Sequence, residues 1–297
     1  MQWAVNSAVR VPSSHGGSRW FESSTAHHFF IPFWYMPFIR GNLPFFAFSN
    51  FSQFPFLKHA IFTREGGYSQ EAYASLNLSY TVGDIAENVS KNLEKVKNYF
   101  KARWLVWTHQ VHDKKVLVIK NERPTSSYTG FDALVTNQPS IALLVKLADC
   151  QGILLCDPKK KVIAAIHCGW RGNVVNVIGE TVKTMQREFG SEPKNIWAGI
   201  SPSLGPCCAE FRDYQTLLPK TFWRYKTKNS YFDWWAISCM QLQEAGIPEH
   251  QIEVARICTV CDKRFFSYRR DGKKTGRFGA IIMLKGDEGD SRNGEGN

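Results

Sequence analysis

Four apolar runs in close succession, Ala133–Thr136, Ile141–Leu147, Gly152–Cys156 and Val162–His167, constrain this chain more than any other feature of it. Each is too short for a core helix and rich in Val, Ile, Leu and Ala. Apolar residues fill both parities, which predicts strands buried on both faces. Asp157-Pro158-Lys159-Lys160 separates the last two as a hairpin turn. Trp104–Trp107 and Lys115–Ile119 upstream, and Ile252–Arg256, Phe265–Tyr268 and Ala280–Leu284 downstream, extend the series. Apolar positions 174, 177, 178, 182 and 185 have helical spacing, so a helix is expected over Val174–Phe189, stopped by Gly190. A second is expected over Asp233–Ala245, with Asp233 as N-cap and Gly246 as stop. Hairpins mixed with long helices predict an α/β protein of the α+β kind rather than a regular βαβ repeat.

At 297 residues, 43% of them apolar, the chain can bury a real core. One catalytic domain is expected over residues 51–285. Residues 1–50 read as an extension, because Ser13-Ser14-His15-Gly16-Gly17 and Ser23-Ser24-Thr25 carry no helix or strand period, and Met36 is an alternative first residue. Residues 286–297, rich in Gly, Asp, Glu and Asn, read as a disordered tail. The aromatic stretch from His28 to Phe56 is broken by Pro32, Pro37, Arg40, Pro44 and Pro55, so no membrane span is expected. The net charge of +11 comes from scattered Lys and Arg, which predicts no nucleic-acid partner. Eight cysteines without regular spacing, several inside apolar runs, fit reduced thiols and a cytoplasmic protein.

Chemistry concentrates where strands end. Thr108-His109-Gln110-Val111-His112 follows one strand, Ala148-Asp149-Cys150 ends another, and His167-Cys168-Gly169-Trp170-Arg171-Gly172 joins a third to a helix. Imidazole and thiolate together suit zinc, and His112, Cys150 and His167 as three protein ligands would leave a fourth position open. His109, Cys156 and Cys168 compete for the same role. Asp149 is a candidate for orienting the ligands or moving a proton. The glycines around Trp170-Arg171 suggest an anion site at a helix start, or a turn that needs positive φ. Arg269 and Arg270 would point to opposite faces of an extended strand, so at most one of them would face a site. Cys258-Thr259-Val260-Cys261 is a single CxxC, weak evidence for a metal, and Cys207-Cys208 read as loop residues poorly placed to ligate together.

Taken in order, Phe62-Thr63-Arg64-Glu65-Gly66-Gly67, Ser75-Leu76-Asn77-Leu78, Gln110-Val111-His112, Ala148-Asp149-Cys150, His167-Cys168-Gly169-Trp170-Arg171-Gly172, Ser203-Leu204-Gly205-Pro206 and the segment from Phe265 to Gly272 resemble the YfiH/YlmD-like family. That family was long labelled laccase-domain or multicopper polyphenol oxidase, and is now described as purine nucleoside phosphorylase with adenosine deaminase activity. The resemblance covers roughly His59 to Leu284. It implies a layered α/β sandwich with mixed sheets and one Zn2+ held by His112, Cys150 and His167. It also implies phosphorolysis of adenosine, inosine and 5′-methylthioadenosine, with deamination of adenosine. Arg171 or Arg64 would hold phosphate, Asn77 would touch ribose or base, Arg269 would face the substrate, and Asp149 would shuttle the proton. Asp113, Cys168, Gln151-Gly152 and Ser201-Pro202 depart from the usual pattern without removing a ligand.

Three rival readings remain at this level. A copper polyphenol oxidase would use similar ligand types, but a laccase needs several coppers and more histidines than the eight present easily supply. A hydrolase editing peptidoglycan precursors is a role also proposed within the family. A basic, non-catalytic binding module is the third. The expected oligomeric state is a monomer or a small homo-oligomer.

Overall fold

A computed structural model describes residues 36–286. Residues 1–35 and 287–297, which hold most of the expected extension and tail, lie outside the described residues. The strands are β1 (Phe38–Ile39), β2 (Phe45–Phe46), β3 (Leu57–Phe62), β4 (Trp104–His109), β5 (Val116–Ile119), β6 (Ser127–Thr129), β7 (Ala133–Thr136), β8 (Ile141–Leu147), β9 (Gln151–Asp157), β10 (Val162–Cys168), β11 (Trp197–Ile200), β12 (Lys226–Lys228), β13 (Tyr231–Phe232), β14 (Ile252–Val254) and β15 (Phe278–Leu284). The α-helices are α1 (Ala86–Phe100), α2 (Trp170–Val174), α3 (Val177–Phe189), α4 (Tyr214–Leu217), α5 (Trp234–Glu244) and α6 (Tyr268–Asp271). No helix among the described residues is long and apolar enough to cross a membrane.

Two mixed sheets form the centre. One runs β1-β2-β3-β15-β8-β4-β6, the other β14-β11-β9-β10-β7-β5. The doubly apolar strands are explained by the layers. In β8, Ile141, Leu143, Val145 and Leu147 face the core between the sheets, while Ala142 and Leu144 face the α1 side with Val89, Leu93 and Val96. In β9 and β10, Leu154, Cys156, Ile163 and Ala165 join the inter-sheet core. The alternate residues Ile153, Leu155, Ala164 and Ile166 pack with Val182 and Met185 of α3 and Leu242 of α5. Each fully buried Leu, Ile or Val adds about 1.5–3 kcal/mol of transfer free energy, so this stack of helix, sheet, sheet and helices is the main source of stability. The layered sandwich with mixed sheets is as the family resemblance implies.

Three expectations need correction. The stretch up to residue 50 is not all extension: β2 pairs antiparallel with β3, and Met36, Phe46 and Phe48 lie in the inter-sheet core. Its prolines break it into short pieces that still bury their aromatic rings. The helix expected from Val174 is two helices, because Asn176 adopts φ +55° and caps α3 by accepting the Gly179 N–H. Phe265–Tyr268 is no strand: Phe265 and Phe266 are core residues, and Ser267 accepts the Arg270 N–H as N-cap of the short α6.

The Phe48 contact supplies a test. A Cβ at Gly199 in β11 would meet the Phe48 ring at 2.4 Å, so the aromatic segment is seated on a strand that must lack a side chain there. Gly199→Ala is expected to lower stability by about 1–3 kcal/mol through overpacking, read by denaturant unfolding. A neutral effect would show that residues 36–50 can be displaced without cost.

Candidate active site and metal centre

The three ligand-bearing segments arrive at one point from both sheets. His112 lies just past β4, in a turn where its own φ is +62°. Cys150 sits in the tight connection from β8 to β9, where Asp149 takes φ +87°. His167 continues the parity of Ile163 and Ala165 in β10, so its ring enters the space between the sheets at their open end. The Sγ of Cys150 is 4.0 Å from Nε2 of His112. One ligand atom from each of His112, Cys150 and His167 falls within 4.8 Å of the others. The 4.0 Å gap is close to the about 3.6 Å that separates N and S ligands of one tetrahedral zinc with bonds of about 2.0–2.3 Å. The donor set therefore fits a borderline divalent ion.

The residue that builds this centre is one that sequence reasoning missed. Asp132, fully buried, accepts the N–H groups of Val111 and Asp113 on Oδ2 at 3.1 and 2.9 Å and that of His112 on Oδ1 at 3.0 Å. Its Oδ1 also meets Nδ1 of His167 at 2.8 Å. One carboxylate thus shapes the His112 turn and fixes the tautomer of His167, leaving Nε2 of His167 as the ligand atom. Burial alone would raise the Asp132 carboxyl, but the His167 ring and the N–H donors outweigh it and hold it below the usual range. Burial likewise pushes the Cys150 thiol up, yet the two imidazoles bring it down to about 6. The His167 imidazole, lowered by burial and raised more by Cys150 and Asp132, stands at about 9. The cluster is poised as a thiolate held by imidazoles, the form in which cysteine binds metal.

Strand parity disposes of two competing ligands. Cys168 faces the helix layer opposite to His167, and burial raises its thiol well above normal. Cys156 is sealed between the sheets. His109 lines the cavity but stands outside the cluster. Gly169 has φ −85°, so positive φ does not explain it. A Cβ there would meet the Cys150 Sγ at 2.7 Å, which means the glycine lets the thiol approach the start of α2.

Above the cluster opens a cavity of about 680 Å³. Trp170, Phe211, Trp234 and Tyr268 give it aromatic walls, and Lys146, Arg171, Arg269 and Arg277 bring cationic groups. Trp170, Phe211 and Trp234 form one aromatic group, with Phe211 6.2 Å from Trp170 and 5.0 Å from Trp234 between ring centroids. Arg171 lies over the Trp170 ring at 4.5 Å. Asp149 lines the cavity, its carboxylate accepting the Thr259 hydroxyl at 2.7 Å and the Arg269 backbone N–H at 2.5 Å. The Arg269 guanidinium donates to the carbonyls of Cys208 and Glu210. Two expected contact residues do not reach the cavity. Asn77 is fully buried behind the wall, where Oδ1 accepts the N–H groups of Ser79 and Arg277, so it positions two lining residues instead of touching a ligand. Arg64 donates through Nε to the Ala74 carbonyl and lies over the Phe266 ring at 4.5 Å.

Lys146, unlike these, was announced by the sequence and passed over: it is the one charge inside the run Ile141–Leu147. It is 7% exposed, and Gln110 closes around its backbone by accepting its N–H and donating to its carbonyl. Burial, aided by the nearby Arg277 guanidinium, lowers its ammonium to about 8.

Residues 58–285 match the family described as multi-copper polyphenol oxidoreductase laccase. The chain belongs to this YfiH/YlmD laccase-domain family. A Bacteroides thetaiotaomicron relative called purine nucleoside phosphorylase is 32% identical over 257 residues, covering 80% of this chain and 95% of that protein. Escherichia coli YfiH, also called purine nucleoside phosphorylase, is 34% identical over 235 residues, covering 75% and 91%. The crystal structure of YlmD from Geobacillus stearothermophilus superposes with a TM-score of 0.76 at 27% identity, covering 84% of this chain and all of that one. The laccase-domain sandwich is thus the fold of a family.

Proposed function

We propose that this chain is a zinc-dependent purine nucleoside phosphorylase. The observation that carries the reading is the convergence of a His-Cys-His centre, an aromatic group and several cations on one cavity. Relatives that bear the phosphorylase name over most of their length support it. His112, Cys150 and His167 would hold the ion. Bound there, zinc would supply Lewis acidity and a coordination position not taken by protein.

The chain's own residues do the rest. Trp170, Phe211 and Trp234 offer faces on which a flat purine can lie. Buried Lys146 and half-buried Arg277 are the cations that would hold phosphate, with Arg171 nearer the aromatic group. Holding phosphate and nucleoside together in one cavity turns a bimolecular attack on the anomeric carbon into a unimolecular one. Asp149, tied by Thr259 and Arg269, fixes the turn that aims Cys150 and is the proposed proton carrier. Adenosine, inosine and 5′-methylthioadenosine are the proposed substrates, and deamination of adenosine the proposed second activity. A copper oxidase is less well supported, because the second His/Cys/carboxylate group among the described residues is all cysteine and adds no imidazole ligands.

The test is product analysis with the zinc-loaded chain. Inosine plus phosphate should yield hypoxanthine and ribose 1-phosphate, with no hypoxanthine when phosphate is omitted. Oxidation of phenols with copper, and no phosphorolysis, would overturn the reading. Adenosine in phosphate-free buffer should release ammonia.

The Lys146 ammonium gives a pH prediction. Its charge is present below about 8 and lost above it, so the KM for phosphate should rise as pH passes about 8. Lys146→Gln should raise that KM about tenfold or more at pH 7, the worth of a charge-assisted hydrogen bond, and flatten the pH dependence. An unaltered KM in the variant would remove Lys146 from the phosphate site.

A further inference from the structure

Cysteines far apart in sequence form a second cluster, away from the first. Strands β11 and β14 pair in parallel, and the chains leaving them stay together. Ser203 donates its N–H to Ile257 O and accepts the Thr259 N–H, in a bridge to Cys258. This register lays Cys207-Cys208 beside the Cys258-Thr259-Val260-Cys261 loop. The four Sγ atoms lie within 4.8 Å of one another, and Cys261 is 3.7 Å from Cys207 and 3.6 Å from Cys208. The sequence expectation that the adjacent pair is poorly placed to ligate, and the CxxC too isolated, fails because each supplies what the other lacks.

We propose that Cys207, Cys208, Cys258 and Cys261 bind a structural zinc ion. In a tetrahedral four-sulfur zinc site with bonds of about 2.3 Å, sulfurs stand about 3.8 Å apart, near the spacing already present. All four cysteines are free thiols, two of them exposed, so an ion can reach them. The first cysteine of the CxxC is dressed for the role: backbone N–H groups of Gly205, Val260 and Cys261 point at the Cys258 sulfur, the Gly205 one at 3.4 Å. Such donors offset thiolate charge. Four thiolates around a divalent ion leave two negative charges, and two guanidiniums stand beside them. Arg269 donates to the Cys208 carbonyl, and Arg270 to the carbonyls of Thr259 and Val260.

The ion would act as a staple behind the cavity wall. Thr259, inside the CxxC loop, holds Asp149, and Leu204, three residues before Cys207, lines the cavity and donates its N–H to the Asp149 carbonyl. Locking the two loops together would fix the turn that carries Cys150.

The experiment measures zinc content and zinc X-ray absorption on the full chain carrying His112→Ala and Cys150→Ala, which disables the first centre. One zinc per chain with four sulfur neighbours at about 2.3 Å is the expected result. No bound zinc, or zinc with nitrogen neighbours, overturns the proposal. A second variant guards against misfolding of the first: Cys261→Ser, at an exposed position, should lower the zinc content of the otherwise native chain by one per chain, and an unchanged content overturns the proposal. Intact mass of the native protein must show all eight cysteines as thiols after metal removal; a disulfide among these four in freshly purified, unoxidised protein overturns it as well. None of these readouts depends on nucleoside turnover, so the proposal stands or falls apart from the phosphorylase reading.

Discussion

Replacing Cys150 with alanine is expected to lower kcat/KM for phosphorolysis of inosine by about 10³-fold or more, the several kcal/mol that a catalytic metal contributes. The physical reason is the make-up of the centre. His112 and His167 approach edge-on, with ring centroids 4.9 Å apart, and Cys150 supplies the anionic ligand between them. Two imidazoles without the thiolate hold a divalent ion far less well. The fold should persist, because the sulfur sits at the mouth of the sandwich and not in its packed layers. Circular dichroism, zinc content and initial rates on the same preparation check this. Turnover near that of the native chain, with zinc lost from this centre, would disconnect the metal from the reaction.

Asp132→Asn is the second large effect expected, and it strikes stability as well as activity. The native carboxylate serves three backbone donors and one ring nitrogen with no solvent contact. An amide keeps the shape but replaces one acceptor oxygen with a donor, so it faces either N–H groups or an imidazole N–H with the wrong polarity. Breaking one side of a buried charge-assisted network costs about 3–5 kcal/mol. Zinc affinity should fall about 10–100-fold, the usual loss when the partner of a metal-bound histidine is removed. Chemical unfolding and competition with a chelating dye measure the two separately. Full metal affinity in a variant of lowered stability would reduce Asp132 to a folding residue.

Much of this was legible in the sequence, and the gaps have definite causes. His112, Cys150 and His167 stood among the candidates because strand ends face a common crevice, with His109, Cys156 and Cys168 beside them, and the family resemblance chose the three. Choosing His167 over Cys168 needed only the alternation of β10, whose odd positions face the other sheet and even positions the helices. Asp132 could not be read, because it works on the backbone of a loop 19 to 21 positions earlier and carries no motif of its own. Asn77 and Arg64 were misplaced for the reverse reason: they belong to recognisable motifs, but those motifs build the wall from behind. The segment after Phe265 misled because two core phenylalanines imitate a strand until Ser267 caps a helix. The cysteine cluster was hidden by about fifty residues of intervening chain, and only the parallel pairing of β11 with β14 closes that distance.

The first centre takes its ligands from the two halves of the sandwich: His112 follows a strand of one sheet, His167 ends a strand of the other, and Cys150 sits in the crossing between them. Neither sheet by itself carries the whole ligand set. An ion seated across that seam would also act as a rivet, so that prying the halves apart and losing the metal become a single event. Heating a metal-loaded chain and a metal-stripped one should then differ most in how the halves come apart, and least in the helices that cover their outer faces.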